Sequence, residues 1–182
     1  MAEAFFQATA WTMDTPKPYG AFHLVLTVLG VSLSIFLARK FSFPERKAGP
    51  DTILFLCGLF LGLTELYKQG FIYYIENGRT YDWWYFPFQL CSVPMYLGLF
   101  IPMVPARIRN VFYLFIQDFG LLGGIMALAE PSGLMHPYWT MTVHGFLWHF
   151  NLIFMGLICA FYNLKTETPK SYLHTIPLFL FC

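Results

Sequence analysis

The sequence predicts an all-α fold: a polytopic transmembrane helical bundle of about six spans, the last of them cut short. Three observations carry this. The 182 residues are 57% hydrophobic and only 12% charged, against about 25% charged in an ordinary soluble domain. Mean hydropathy is +0.55. Apolar runs near the length that crosses a bilayer recur along the whole chain. Short loops join these runs and no long polar segment interrupts them, so residues 1–182 read as a single transmembrane domain.

In chain order, residues 1–18 mix aromatic and polar groups, and Pro16-Lys17-Pro18 breaks any helix there, which suits an interfacial N-terminal arm. Span 1 covers 21–38 and stops at Arg39-Lys40. Span 2 covers 52–74, entered at Asp51-Thr52, a good helix N-cap. Its Gly58 and Gly62 have the spacing that admits a neighbouring helix closely. A polar link follows from Glu76 to Asp82. Trp83, Trp84 and Tyr85 then mark a membrane interface, where amphipathic rings settle. Span 3 covers 85–104 and holds Pro87, Pro94 and Pro102. Span 4 covers 110–129 with Gly120, Gly123 and Gly124, and Glu130-Pro131-Ser132-Gly133 turns the chain into span 5, residues 138–162. The stretch Lys165–Lys170 is polar. A sixth segment begins near Ser171 and reaches only Cys182, too short to cross, so the chain reads as stopping inside its sixth helix.

Charge sets the expected orientation. Arg39, Lys40, Arg46, Lys47, Arg107, Arg109, Lys165 and Lys170 fall on links 1–2, 3–4 and 5–6. Only Lys17, Lys68 and Arg79 fall on the other side. The positive-inside rule then puts the N-terminus outside or in a lumen. The N-terminus lacks a cleavable-signal pattern, so span 1 serves as its own insertion signal. No basic cluster suggests nucleic acid. Cys57, Cys91, Cys159 and Cys182 lie in apolar runs without a CxxC, so neither a disulfide framework nor a metal site is signalled, and no cofactor is implied. Membrane lipids are the expected partners. The small-residue spacings fit packing within one chain as well as between chains, so oligomeric state stays open.

A polar side chain inside a span is costly and is a functional hypothesis by default. The candidates are His23, Glu65, Gln89, Cys91, Asp118, His144, His149 and Asn151. Counted along ideal helices, Cys91 and His144 each lie roughly 9 Å below the N-terminal-side end of their spans, with Glu65 and His23 in the same half. A polar pocket shared by four spans needs that agreement. At about 100° per residue Asn151 follows below His144, whereas His149 faces elsewhere. Gln89 and Cys91 share a face only if the helix is distorted, and Pro94 supplies a cause, since it cannot donate to the Leu90 carbonyl.

A thiol beside an imidazole points to nucleophilic acyl transfer. His144 would take the Cys91 proton and return it to a leaving alcohol. Glu65 or Asn151 would orient the imidazole, and Gln89 or a backbone amide would donate to the oxyanion. Bland readings stand beside this one. Membrane cysteines are usually small apolar filler. His149 suits a helix–helix hydrogen bond, Glu65 suits a local ion pair with Lys68, and Asp118 suits either a protonated structural bond or part of a polar path. The enzyme reading therefore competes with a lipid-binding or transport bundle and with a structural subunit of a membrane complex.

Several short motifs, in order, resemble the YwaF / transmembrane protein 164 family. They are Pro18-Tyr19-Gly20-Ala21-Phe22-His23-Leu24, Glu65, Phe86-Pro87-Phe88-Gln89-Leu90-Cys91, Gly123-Gly124 and His144-Gly145. Bacterial members carry a histidine two residues before the cysteine, where this chain has Gln89. The resemblance implies a phospholipid-remodelling acyltransferase working through a cysteine acyl-enzyme with a histidine partner, which would be Cys91 and His144 here. It also implies kinship with androgen-induced membrane hydrolases of fatty-acid esters.

Overall fold

The computed structural model describes residues 1–42, 49–162 and 172–180. Pro44, Arg46, Lys47 and the polar stretch Lys165–Lys170 lie outside the described residues. Every element within them is helical apart from one antiparallel bridge, Thr12 to Tyr138. α1 is Ala2–Thr9, α2 Ala21–Phe41 and α3 Pro50–Phe71, which runs on through a π turn at Ile72–Glu76. α4 is Val93–Phe100, preceded by a 3-10 turn at Leu90–Ser92 and followed by another at Ile101–Met103. α5 (Ala106–Phe115) passes through a π turn at Ile116–Gly120 into α6 (Leu121–Ala129). α7 is Trp139–Phe161 and α8 is Ile176–Phe179.

Four of these helical stretches are long and apolar enough to cross a membrane, not six: Ala21–Phe41, Pro50–Glu76, Ala106–Ala129 and Trp139–Phe161. The chain is thus a multi-pass integral membrane protein with fewer spans than its apolar runs suggest. Proline accounts for the loss of span 3. Phe86, before Pro87, is extended at φ −62°, ψ 133°, as the residue before a proline prefers. Gln89 is extended at φ −71°, ψ 155°. Helix begins only at Leu90 and ends at Met103, about 21 Å at 1.5 Å per residue, short of the roughly 30 Å hydrocarbon core. Pro94 therefore does not kink a long helix. It sits in the first turn of α4, where its missing N–H is no loss. In the sixth segment the described helical residues are Tyr172, Leu173 and the four-residue α8 with Pro177 in its first turn, too few to cross.

The core lies where α3, α4, α5 and α7 meet; Leu54, Leu61, Ile101, Phe115, Leu152 and Met155 are fully buried there. Small residues let backbones touch. A Cβ on Gly98 would sit 2.8 Å from the Leu54 carbonyl oxygen, and one on Gly58 would sit 2.8 Å from the Leu99 amide nitrogen. α2 packs on α7 with the Phe150 ring laid over Gly30. Ser34 fastens the pair by donating to the carbonyls of Gly30 (2.8 Å) and Phe150 (3.2 Å).

The N-terminal arm closes one end of the bundle. Phe6 of α1 stacks on Tyr74 at 5.5 Å. Tyr67 donates to the Thr9 hydroxyl at 2.7 Å, the Trp139 amide to the Trp11 carbonyl at 2.8 Å, and Arg79 pairs with Glu3. Tyr19 donates to the Ala129 carbonyl at 2.8 Å. Beyond α6, the Ser132 hydroxyl donates to Glu130 and holds that carboxyl below the usual range. The turn at Pro131–Leu134 that these contacts shape leads to His136. At the opposite end Asp51 accepts from Arg109 and from the Tyr113 hydroxyl, tying α3 to α5.

The close α3–α4 contact makes a direct prediction. Gly58→Ala or Gly98→Ala overpacks two backbones and lowers stability by about 1–3 kcal/mol. Gly62→Ala, whose Cβ would meet only Leu99 Cδ1 at 3.8 Å, leaves it nearly unchanged. Thermal unfolding of the three variants in detergent separates these outcomes.

Candidate active site

A cavity of about 370 Å³ opens near the arm end, between the end of α3, the segment 84–92, the turn before α7, and α7 itself. Its size is that of a small-molecule site. Residues 86–89 enter as non-helical backbone, which is tolerated at membrane depth only where protein or a cavity satisfies its polar groups. Gln69 does part of this: its Nε2 donates to the Tyr85 carbonyl at 2.6 Å and to Glu65 Oε1 at 2.7 Å. Glu65, 4% exposed, also pairs with Lys68 at 2.7 Å. Trp148 Nε1 donates to the Cys91 carbonyl at 3.3 Å.

Both Gln89 and Cys91 line the cavity. On an ideal helix they would point apart; with Gln89 extended they converge, and the Cys91 thiol lies 3.8 Å from Gln89 Oε1 as its donor. The amide oxygen of Gln89 thus faces the thiol, not an oxyanion. Cys91 occupies the first turn of the Leu90–Met103 helix, where the leading N–H groups have no partner within the helix and the dipole favours negative charge.

Level along the bundle distinguishes the histidines. Extended backbone advances up to about 3.3 Å per residue, not 1.5 Å, so Cys91 sits deeper than a helical count places it. Its neighbours say how deep. A Cβ on Gly123 of α6 would lie 3.9 Å from Cys91 Cβ, and one on the adjacent Gly124 would lie 3.0 Å from the His149 carbonyl oxygen. Cys91 is therefore level with Trp148 and His149, while His144 lies more than one α7 turn nearer the arm end. His144, Trp148 and His149 all line the cavity, spread over an arc of about 140°. His149, expected to face elsewhere, is on one flank of that arc and His144 on the other.

Each imidazole has one bond to backbone. His149 Nδ1 lies 2.7 Å from the Gly145 carbonyl. A carbonyl only accepts, so Nδ1 carries the proton and Nε2 is the basic nitrogen. His144 makes a backbone hydrogen bond at Thr64 and stacks on Trp148 at 5.6 Å, and its Nε2 is buried without a hydrogen-bond partner. Neither imidazole hydrogen-bonds the thiol among the described residues.

The remaining candidates lie outside the cavity. Asn151 donates to the Cys57 carbonyl at 3.2 Å and joins α7 to α3. His23 Nε2 donates to the Leu128 carbonyl at 3.1 Å, joining α2 to α6. Asp118, in the π turn, accepts from Tyr172 at 3.0 Å. Glu65 acts from behind the wall, through Lys68 and Gln69. Sequence reasoning left out Gln69, Trp148, Ser92 and His136 as site residues. Gln69 follows Glu65 by four residues, a spacing that puts both on one helix face, and that signal was available. The Thr142 hydroxyl holds the His136 backbone, accepting from its amide at 3.0 Å and donating to its carbonyl at 3.2 Å. Among the described residues, no group of three or more His, Cys, Asp or Glu is arranged to hold a metal ion.

The family model of the TMEM164 family matches residues 18–182. The chain belongs to the TMEM164 family. The matched region includes every residue that lines the cavity. No curated protein and no solved structure matches the chain.

Exposure within this TMEM164-family bundle ranks its thiols. Cys57 and Cys159 are buried in the core, whereas Cys91 borders the cavity. Alkylation of the folded protein by a small maleimide, followed by peptide mass spectrometry, is expected to modify Cys91 at least about tenfold faster than Cys57 or Cys159.

Proposed function

We propose that the protein is a membrane-embedded acyltransferase or hydrolase of lipid esters, with Cys91 as nucleophile and a histidine of α7 as base. The observation that carries this reading is the thiol at a helix N-terminus, level with an imidazole of fixed tautomer, in one cavity. His149 is the better-placed base, because it lies at the level of the thiol; its proton is committed to Gly145, which leaves Nε2 as the basic nitrogen. His144, one turn further out, is the base that sequence order and family resemblance suggest, and it is kept as the alternative to be tested beside it. Hydrogen bonds in such sites often shorten only when substrate is bound.

In the reaction the Cys91 proton passes to imidazole Nε2, and the sulfur adds to the ester carbonyl carbon. The first amides of the Leu90–Ser92 turn donate to the resulting oxyanion. The C–O bond breaks, the alcohol leaves with the proton from the imidazolium, and a thioester remains on Cys91. A second hydroxyl, from a lipid acceptor or from water, gives its proton to the same imidazole and attacks the thioester. The C–S bond breaks and the thiolate is reprotonated. Ester bonds of membrane lipids lie near the headgroup boundary, a depth that suits a cavity beside the interfacial tryptophans. The N-terminus and the cavity mouth face outside or a lumen in this reading, since Arg39, Lys40, Arg107 and Arg109 gather at the opposite end.

A lipid-like acyl probe read out as a thioester on intact protein tests this. Cys91→Ala removes the adduct completely. His149→Ala slows its formation by about 100-fold or more, while His144→Ala slows it less. The reverse order of the two histidine variants would make His144 the base, and an adduct that forms equally without Cys91 would end the nucleophile reading.

A further inference from the structure

The N-terminal arm packs behind one wall of the cavity. Ile72 and Met141 line the cavity, and with Phe71 they form a buried apolar cluster. Phe6 and Ala10 of the arm pack against that cluster without lining the cavity themselves. Gly70 makes the seat for Phe6: a Cβ there would overlap Phe6 Cζ, so the ring lies directly on α3 backbone. Thr9 then joins the two helices that flank this wall. Its hydroxyl accepts from Tyr67 of α3 at 2.7 Å, and its carbonyl accepts from the Thr140 hydroxyl of α7 at 3.2 Å. The Met13 amide donates to the Pro137 carbonyl at 2.9 Å, next to His136, which lines the cavity. Gln7 is exposed, and Glu3 pairs with Arg79 at the surface, which marks this side of the arm as the one that meets water. The arm lies ahead of the family-matched residues.

From this arrangement we infer that the arm is a water seal that sets the acceptor of the acyl group. It keeps the wall between α3 and α7 shut, so that Cys91 passes its acyl group to an alcohol and not to water. The chemistry rests on the acyl-transfer reading; the claim about water access stands apart from it. Ile72 and Met141 meet the cavity and their cluster meets the arm, so one layer of side chains separates the two. Phe71 is fully buried in that layer, with Ile72 3% and Met141 2% exposed. Taking Phe6 away leaves the layer facing the aqueous side. A thioester on Cys91 has two fates. An alcohol oxygen that attacks the carbonyl carbon breaks the C–S bond and forms a new ester; a water oxygen breaks the same bond and forms a free acid. In both, the acceptor's proton goes to the α7 imidazole and from there to the leaving thiolate. Only the acceptor differs, so the ratio of acid to ester reports how much water reaches the thioester. Excluding water is a recognised way for a site to protect a reactive intermediate from hydrolysis.

The test uses the full chain in lipid nanodiscs and two measurements. The first is the rate at which Cys91 reacts with a trimethylammonium methanethiosulfonate, which stays in water, divided by its rate with uncharged methyl methanethiosulfonate, both followed by peptide mass spectrometry. Phe6→Ala and Gly70→Ala disturb one contact from its two sides, and each is expected to raise this ratio about tenfold. Gln7→Ala, on the outer face, leaves it unchanged. The second measurement loads Cys91 from the lipid-like acyl probe and chases with a long-chain alcohol; the ratio of free acid to new ester rises by about the same factor in the two variants. An unchanged reagent ratio overturns the seal. So does an equal rise at Cys57 and Cys159, because the arm would then hold the whole bundle and not this wall. A raised reagent ratio with an unchanged acid-to-ester ratio overturns the arm's part in acceptor choice. The first measurement needs no turnover: a rise confined to Cys91, in a protein that never forms the thioester, removes the acyl-transfer reading and leaves the seal standing.

Discussion

A membrane leaves no room for unpaired backbone, and that constraint shapes this molecule around residues 85–92. Pro87 and the extended Phe86 and Gln89 on either side of it take residues 86–89 out of helix. The freed groups are met one by one: Gln69 donates to the Tyr85 carbonyl and Trp148 to the Cys91 carbonyl. Both donors sit on membrane-crossing helices, α3 and α7, so the segment is pinned between them. The cavity exists because the chain there is too thin to fill the space a full helical span would occupy.

From this one irregularity the rest of the site follows. Extended backbone carries Cys91 deeper than a helix would. It also turns Gln89 to the same side as the thiol. A new helix starts at Leu90, so the thiol sits among amide donors that no carbonyl of that helix accepts. Gly123 and Gly124 let α6 approach the Cys91 segment and α7 at one level. The buried Glu65 serves two neighbours at once, Lys68 and Gln69, and so links the ammonium in the cavity wall to the amide that holds the segment. Removing one member of such a buried polar group strands the others, which is costly.

Much of this was legible in residue order. The apolar runs, the interfacial tryptophans, the prolines of the third run and the cost of each intramembrane polar group can be read without coordinates, and so could the pairing of Glu65 with Lys68. The span count could not, because hydropathy records whether a stretch prefers lipid and not whether its backbone is helical. Counting depth at 1.5 Å per residue through 85–89 placed Cys91 nearer the arm end than its contact with Gly123 of α6 does. His23 and Asn151 show a second limit. Both are polar and within spans, yet each donates to a carbonyl on a neighbouring helix, and only packing reveals which carbonyl is near.

The sequence by itself determined a helical membrane protein, the position of its helix breaks, and a short set of residues too polar to be there for nothing. Those properties depend on composition and on local backbone rules, which act within a few residues. Which of the polar residues meet was decided by tertiary structure alone. The angle of α7, the approach of α6 at its paired glycines and the depth of Cys91 all depend on contacts between segments far apart in the chain. Those contacts gather Cys91, His149, His144 and Lys68 around one cavity and leave His23, Asn151 and Asp118 as ties between helices.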